Sequence, residues 1–128
     1  MSSMIHWLDE SRTIVLNIYE GRWEWDDAIA CLQQSEALLN EVTHKVAIIA
    51  DFSATTGVPR LNMTLMQKLD NHPLMNHPNM TDIYVTGTRV QVTMRHDIFN
   101  RLMPKVFKRF HTVATLEADI QLINTNVT

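Results

Sequence analysis

Apolar positions in this chain alternate with period two in some stretches and recur near every 3.6 residues in others, and the changes of period mark out the elements. Residues 5–8 and 13–19 read as two strands, and the polar run Asp9-Glu10-Ser11-Arg12 between them makes the pair a hairpin. In the second strand Ile14, Leu16 and Ile18 point one way and Val15, Asn17 and Tyr19 the other, so one face is fully apolar and the other mixed. Gly21 ends the strand. Trp23-Glu24-Trp25-Asp26-Asp27 then opens a helix to about residue 41, with Trp25, Ala28, Ile29, Leu32 and Leu39 on its inward stripe and acids at its amino end, where the dipole favours them.

The run Val46-Ala47-Ile48-Ile49-Ala50-Asp51-Phe52-Ser53 is apolar until it ends in an acid and a hydroxyl. It predicts a central parallel strand feeding a loop, residues 53–61, at its carboxyl end, where open α/β folds place their sites. Asn62 caps a short helix carrying Leu65, Met66 and Leu69, which His72-Pro73 and His77-Pro78 stop or interrupt. Residues 82–86 form the next strand, and Gly87 and Thr88 break it. A helix follows over about 89–103, with Val90, Met94, Ile98 and Leu102 on one stripe and Pro104 closing it. Residues 110–113 read as a last strand, and Thr115 caps a final helix with Leu116, Ile120 and Ile123 inward. The expected architecture is an α/β fold with a single-layer mixed, mostly parallel sheet and packed helices, in the order β-β-α-β-α-β-α-β-α. One domain over residues 4–124 accounts for it, without repeats or linkers.

Composition fits a folded chain of 128 residues: 45% is hydrophobic and 20% charged. The net charge of -3 does not favour nucleic acid or an anionic membrane as partner of the whole molecule. The charge is unevenly spread. Residues 1–45 hold eight acids (Asp9, Glu10, Glu20, Glu24, Asp26, Asp27, Glu36, Glu41) and three bases (Arg12, Arg22, Lys45). Residues 89–109 hold six bases (Arg89, Arg95, Arg101, Lys105, Lys108, Arg109) and Asp97 as the sole acid. These are ordinary solvated helix faces, a basic patch for an acidic protein or a lipid headgroup, or a nucleic-acid contact, which no aromatic interleaving supports. Cys31 is the one cysteine, which excludes an internal disulfide and fits a reducing, cytoplasmic setting. No signal peptide is expected. The longest apolar runs are about five residues, against the ~20 a membrane helix needs, so no membrane span is expected.

The best site candidates are Asp51 and Ser53. A hydroxyl past the end of a parallel strand is reachable for phosphorylation or for a ligand, or else Ser53, Thr55 and Thr56 hydrogen-bond within the turn. Gly87-Thr88 ahead of Arg89 either offers free amides to a phosphate or is a turn and cap, since neither GxxxxGK[ST] nor GxGxxG occurs. His72 and His77 have the wrong spacing for one helix face, and no metal site or cofactor is expected. Cys31 reads as a small buried hydrophobe. Trp23 falls on a different side from Trp25, covering the sheet edge or a pocket mouth. The methionines, Met63, Met66, Met75, Met80, Met94 and Met103 among them, suit an adaptable core, an apolar pocket or a dimer contact. No catalytic residue is assigned.

The layout resembles a STAS-type domain, the fold of anti-sigma-factor antagonists, and more closely the short STAS-like, sporulation-antagonist-like bacterial proteins. Tyr19-Glu20-Gly21-Arg22-Trp23-Glu24-Trp25, the 46–53 run and Thr115-Leu116-Glu117-Ala118 carry the likeness. In such antagonists a strand ends in acid, hydrophobe and serine, matched by Asp51, Phe52 and Ser53. An acid–serine–serine–glycine segment follows, with a serine that a partner kinase phosphorylates. Thr55, Thr56 and Gly57 are the nearest match, with Ala54 in place of the acid, which makes Thr56 the implied phosphoacceptor. The resemblance implies a non-catalytic, cytoplasmic regulatory or protein-interaction module. Its contacts would come from the 53–61 loop, Gly87, Thr88, Arg89 and the basic 89–109 region, with a protein partner or a second copy of the chain. A related branch resembles lipid-binding domains, and the alternative is a small-molecule or lipid-binding domain with an apolar groove lined by methionine and tryptophan.

Overall fold

The computed structural model describes residues 2–94, 97–113, 120, 121 and 123. Five strands form one sheet in the order β1-β2-β3-β4-β5. β1 (Ser2–Trp7) runs antiparallel to β2 (Ile14–Gly21), and β2, β3 (Val46–Thr55), β4 (Met80–Thr86) and β5 (Phe110–Thr112) are mutually parallel. The expected hairpin is present. Its turn closes on Asp9, whose carboxylate accepts from Thr13 N (3.1 Å), Thr13 Oγ1 (2.8 Å) and Ser11 Oγ (2.6 Å). Partial burial pushes the Asp9 pKa up, but these hydrogen bonds outweigh it and leave the carboxyl below its ordinary value.

Each parallel connection needs a crossover, and helices supply it. These are α1 (Trp25–Leu39), α2 (Met63–Asp70) with a 3-10 turn (Pro73–Asn76), and α3 (Thr88–Met94), α4 (Asp97–Leu102) and α5 (Pro104–Arg109). All of them pack on one sheet face, against Val15, Tyr19, Val46, Ile48, Ala50, Phe52, Ile83 and Val85. The opposite face carries Ile14, Leu16, Ala47, Ile49 and Tyr84, with Ile120 and Ile123 packed on it. The mixed face of β2, with Asn17 between Val15 and Tyr19, is therefore the one turned to the larger core. No helix among the described residues is long and apolar enough to cross a membrane.

β1 begins at Ser2 and β4 at Met80, earlier than the pattern predicts, and three further differences bear on the rest of the chain. β3 continues through Thr55, so Ser53, Ala54 and Thr55 lie in strand rather than loop, because Glu20 and Gly21 of β2 pair with Ala54 and Thr55 past an irregularity after Ile18. Pro104 opens α5 instead of only closing the helix before it: proline has no N–H to lose at a first helical position and its φ is already helical. The stripe expected over 89–103 is also not continuous, since Phe99 is buried whereas Ile98 is exposed. Val90 of α3 and Phe99 of α4 are the buried residues, with Met94 and Leu102 of the expected stripe partly buried against the same core. Thr115 and Leu116 of the expected last helix lie outside the described residues.

Elsewhere the pattern holds. The α1 stripe Trp25, Ala28, Ile29, Leu32 and Leu39 is buried, and Cys31 with it. The α1 acids have a structural use at Asp27, whose carboxylate accepts from Glu24 N at 2.8 Å. Asn62 Oδ1 accepts from Leu65 N at 3.0 Å, the expected cap of α2.

Candidate functional site at the carboxyl end of the parallel strands

β3 and β4 pair in register to Asp51 and Thr86, which brings the residues just beyond, Phe52 and Gly87, side by side. Gly87 makes the approach feasible. Its φ is +128°, and a Cβ there would stand 2.9 Å from the Phe52 carbonyl carbon and 3.0 Å from its Cβ. Beside this contact a cleft of about 230 Å³ opens, lined by Phe52, Ser53, Thr55, Gly87, Thr88 and Arg89. Five of the positions singled out in the sequence thus face one surface depression.

The hydroxyls there differ in freedom. Ser53 is exposed, and its amide donates to Asp51 Oδ1 at 2.9 Å. Thr55 Oγ1 donates to the Phe52 carbonyl at 2.6 Å, so this hydroxyl is engaged by the backbone of its own strand. Thr56 is exposed, yet its backbone is held on both sides: its amide donates to Gly21 O at 3.0 Å, and the Arg89 guanidinium donates to its carbonyl.

Two tryptophans fix the loop beyond. Trp23 Nε1 donates to Gly57 O and Trp25 Nε1 to Arg60 O, each at 2.8 Å. Trp23 borders two hollows. It is buried, with its ring 5.0 Å from Phe52 and 5.4 Å from Trp25. Outside the two indoles runs a groove of about 450 Å³, bordered by Arg22, Gly57, Pro59, Arg60 and Leu65. Inside them, between sheet and helices, lies a separate cavity of about 60 Å³. Trp23, Trp25 and Val58 belong to the walls of both.

A scan against protein-family models finds no match, and neither does a search of curated proteins.

The basic segment divides by contact. Lys105 Nζ donates to Asn71 Oδ1 at 2.8 Å and Arg109 donates to Thr81 O at 2.9 Å, which commits both to internal ties. Arg101 and Lys108 are exposed, and Arg95 lies outside the described residues. Burial raises the pKa of the Cys31 thiol, a direction that suppresses the nucleophilic thiolate at neutral pH. Burial likewise pushes the Tyr19 phenol well above its ordinary value. Among the described residues no group of three or more His, Cys, Asp or Glu side chains is placed to hold a metal ion.

Four polar residues are buried that were not picked from the sequence as interior: Asn17, Ser35, Asp70 and Thr86. Asn17 is 2% exposed and Ser35 is fully buried, and Ser35 Oγ donates to Asn17 Oδ1 at 3.2 Å across the α1–β2 contact. The signal for Asn17 was present, as a lone amide on an otherwise apolar strand position. Ser35 carried none, since a helical serine reads as surface.

Proposed function

We propose that this chain is a STAS-like, non-catalytic interaction module that docks a protein partner through the carboxyl ends of β3 and β4 and responds to phosphorylation at Thr56. The observation that carries this is the convergence of Ser53, Thr55, Gly87, Thr88 and Arg89 on one cleft, with Arg89 bonded to the Thr56 carbonyl. A phosphate on the exposed Thr56 adds about -1.5 to -2 charge. It would do so beside a guanidinium that, among the described residues, donates to a neutral carbonyl, and a charge-assisted bond to phosphate is the stronger of the two. Arg89 would then exchange partners and the rim of the cleft would change shape and sign. Leu61, on the outer groove, and Met63, at the start of α2, are 52% and 59% exposed and offer apolar surface for docking.

The test has two parts. Protein purified from its native cells is mapped for phosphorylation, with Thr56 as the expected site and Ser53 as the neighbour to watch. A partner captured by the wild-type chain is then titrated against Thr56→Glu and Arg89→Glu, and both variants are expected to shift its Kd at least tenfold. Unchanged binding by both variants, with Thr56 unmodified in the cells, sinks the proposal.

A further inference from the structure

β1 lies at one edge of the sheet, and the backbone groups it turns outward can be assigned. The amide of Leu8, just after β1, donates to Ile14 O at 2.8 Å. Leu8 and Ile14 continue the β1–β2 register, which runs unbroken from Ser2 opposite Glu20 to Trp7 opposite Val15. Along an antiparallel pair, hydrogen-bonded and non-bonded residue pairs alternate. Leu8 is of the bonded kind, so His6, Met4 and Ser2 also bond to β2. The N–H and C=O groups of Trp7, Ile5 and Ser3 then point away from the sheet. Among the described residues, none of these three backbones makes a turn, loop or cap hydrogen bond.

Proteins blunt such edges with lysine, proline, a bulge or a very short strand. At the other end of the sheet β5 is three residues long and follows Lys108 and Arg109. β1 has none of these devices. Its six residues, Ser-Ser-Met-Ile-His-Trp, include no proline, lysine, arginine or carboxylate, and its pairing with β2 has no irregularity. Met4 is 55% exposed, opposite Ile18 of the second sheet face. An open, uncharged edge with an exposed apolar side chain is a template for another strand.

The spacing of the outward groups says which strand fits. Ser3, Ile5 and Trp7 are symmetric about Ile5. A second copy laid antiparallel on a two-fold axis through that residue sets Ile5 against its own counterpart and each Ser3 against the other copy's Trp7. Every one of these pairs exchanges both backbone hydrogen bonds, so all the outward donors and acceptors of β1 are used. Moving the axis to Met4 or to His6 pairs only two of the three residues within the strand. Opposite residues share a sheet face, so the same register lays Met4 of each copy against His6 of the other and covers the exposed methionine.

We propose that β1 is a self-association edge, through which two copies of the chain join their sheets into one continuous sheet by pairing Ser3, Ile5 and Trp7. This goes beyond the docking role proposed above and does not depend on it. The two-fold reverses every strand of the second copy, so the clefts at the carboxyl ends of β3 and β4 face opposite ends of the joined sheet and both stay open. Pairing of two short strands is a small interface, so the association is reversible and set by concentration.

The test combines sedimentation of the full chain with residue-resolved hydrogen exchange, over about a hundredfold range of concentration so that mass action moves the equilibrium. A monomer that becomes a dimer is expected. The amides of Ser3, Ile5 and Trp7 should gain protection as concentration rises, whereas those of Met4 and His6, already bonded to β2, should not. In a mixture of differently labelled copies, an intermolecular contact between the α-protons of Met4 and His6 is expected, because these form the close, non-bonded pair. Ser3→Pro removes an N–H that β2 does not use, at an edge where proline is tolerated, and is expected to weaken dimerisation at least tenfold. Met4→Lys, at an exposed side chain, should weaken it too and serves should Ser3→Pro fail to fold. Val92→Lys, at a residue 54% exposed on α3, should leave it unchanged. A chain that stays monomeric throughout, a dimer in which Ser3, Ile5 and Trp7 remain unprotected, or one that Met4→Lys leaves as tight as the wild type overturns the proposal.

Discussion

Gly87 borders the cleft and Gly57 the outer groove, and the two are expected to respond oppositely to one methyl group. At Gly87 a Cβ would lie 2.9 Å from the Phe52 carbonyl carbon, backbone that cannot rotate away, and φ is +128°. Gly87→Ala is expected to lower stability by about 2–4 kcal/mol, strain and overpacking together. At Gly57 nothing lies within 4 Å of the added carbon. Gly57→Ala should be neutral or stabilising by about 0.4–1 kcal/mol, because it narrows the unfolded ensemble. Urea unfolding midpoints of the two variants check both signs. His72 gives a pH-dependent counterpart. Its Nδ1 accepts from Leu74 N at 3.1 Å, a bond only the unprotonated nitrogen can accept. Burial lowers its pKa, with the Glu36 charge acting the other way. The folded chain therefore binds the proton less readily than the unfolded one. The His72 contribution is intact above the ordinary histidine pKa of about 6.5 and is lost as pH falls from there through the lower folded value. His72→Asn keeps an acceptor at a capping position and removes the titration, so its urea midpoint should fall less than that of the wild-type chain between pH 7.5 and 5.

At the scale of elements, the ends of helices decide more than their middles. α5 starts where Asp70, from the last position of α2 and 4% exposed, accepts from Val106 N at 2.8 Å. A carboxylate from one helix thus satisfies a free amide at the start of another and sits at the positive end of its dipole. Asp70→Ala is expected to cost about 1–3 kcal/mol by leaving that amide buried and unpaired, and Asp70→Asn less, because an acceptor remains; chemical denaturation of the two variants ranks them. This contact also shows why the helix that Pro104 opens was not foreseen from sequence, although the helix before it does end there. Proline is permitted both after one helix and at the first position of the next, and the partner that settles the matter lies far back in the chain at Asp70. The α1 stripe, the hairpin and the Asn62 cap were legible because periodicity and capping act within a few residues. The extension of β3 through Ser53–Thr55 was not. Polar residues after an apolar run look like a loop until Glu20 and Gly21 are known to pair with Ala54 and Thr55. The cleft suffered from the same blindness and gained from a general rule: residues at the carboxyl ends of adjacent parallel strands converge, so Ser53, Thr55 and Gly87 through Arg89 could be picked separately without knowing that they meet.

On the scale of the whole molecule, the outer groove and the inner cavity share one aromatic wall. Tyr19, Trp23, Trp25 and Phe52 pack in sequence from the β2 end to the start of α1 and across to β3, and the same indoles that close the cavity hold the loop at Gly57 and Arg60. Each indole has an apolar body that wants burial and one N–H that needs an acceptor. A loop carbonyl is the acceptor within reach, so burying the ring and fixing the loop are a single act. Trp23→Phe separates the two, since it keeps an aromatic ring in the wall and removes the donor. Stability should fall by about 1 kcal/mol for the hydrogen bond, plus a smaller amount for the lost ring volume. Hydrogen exchange supplies the sharper measurement. Amides in the 57–60 segment are expected to exchange faster in the variant, while those of Ile48 and Ile49, in the central strand, change only as much as global stability does. Equal acceleration at all of these sites would mean that the indole bond holds the core in general and the loop only incidentally. Acceleration confined to the loop would establish it as a strap with its own opening equilibrium, set by two hydrogen bonds rather than by the fold.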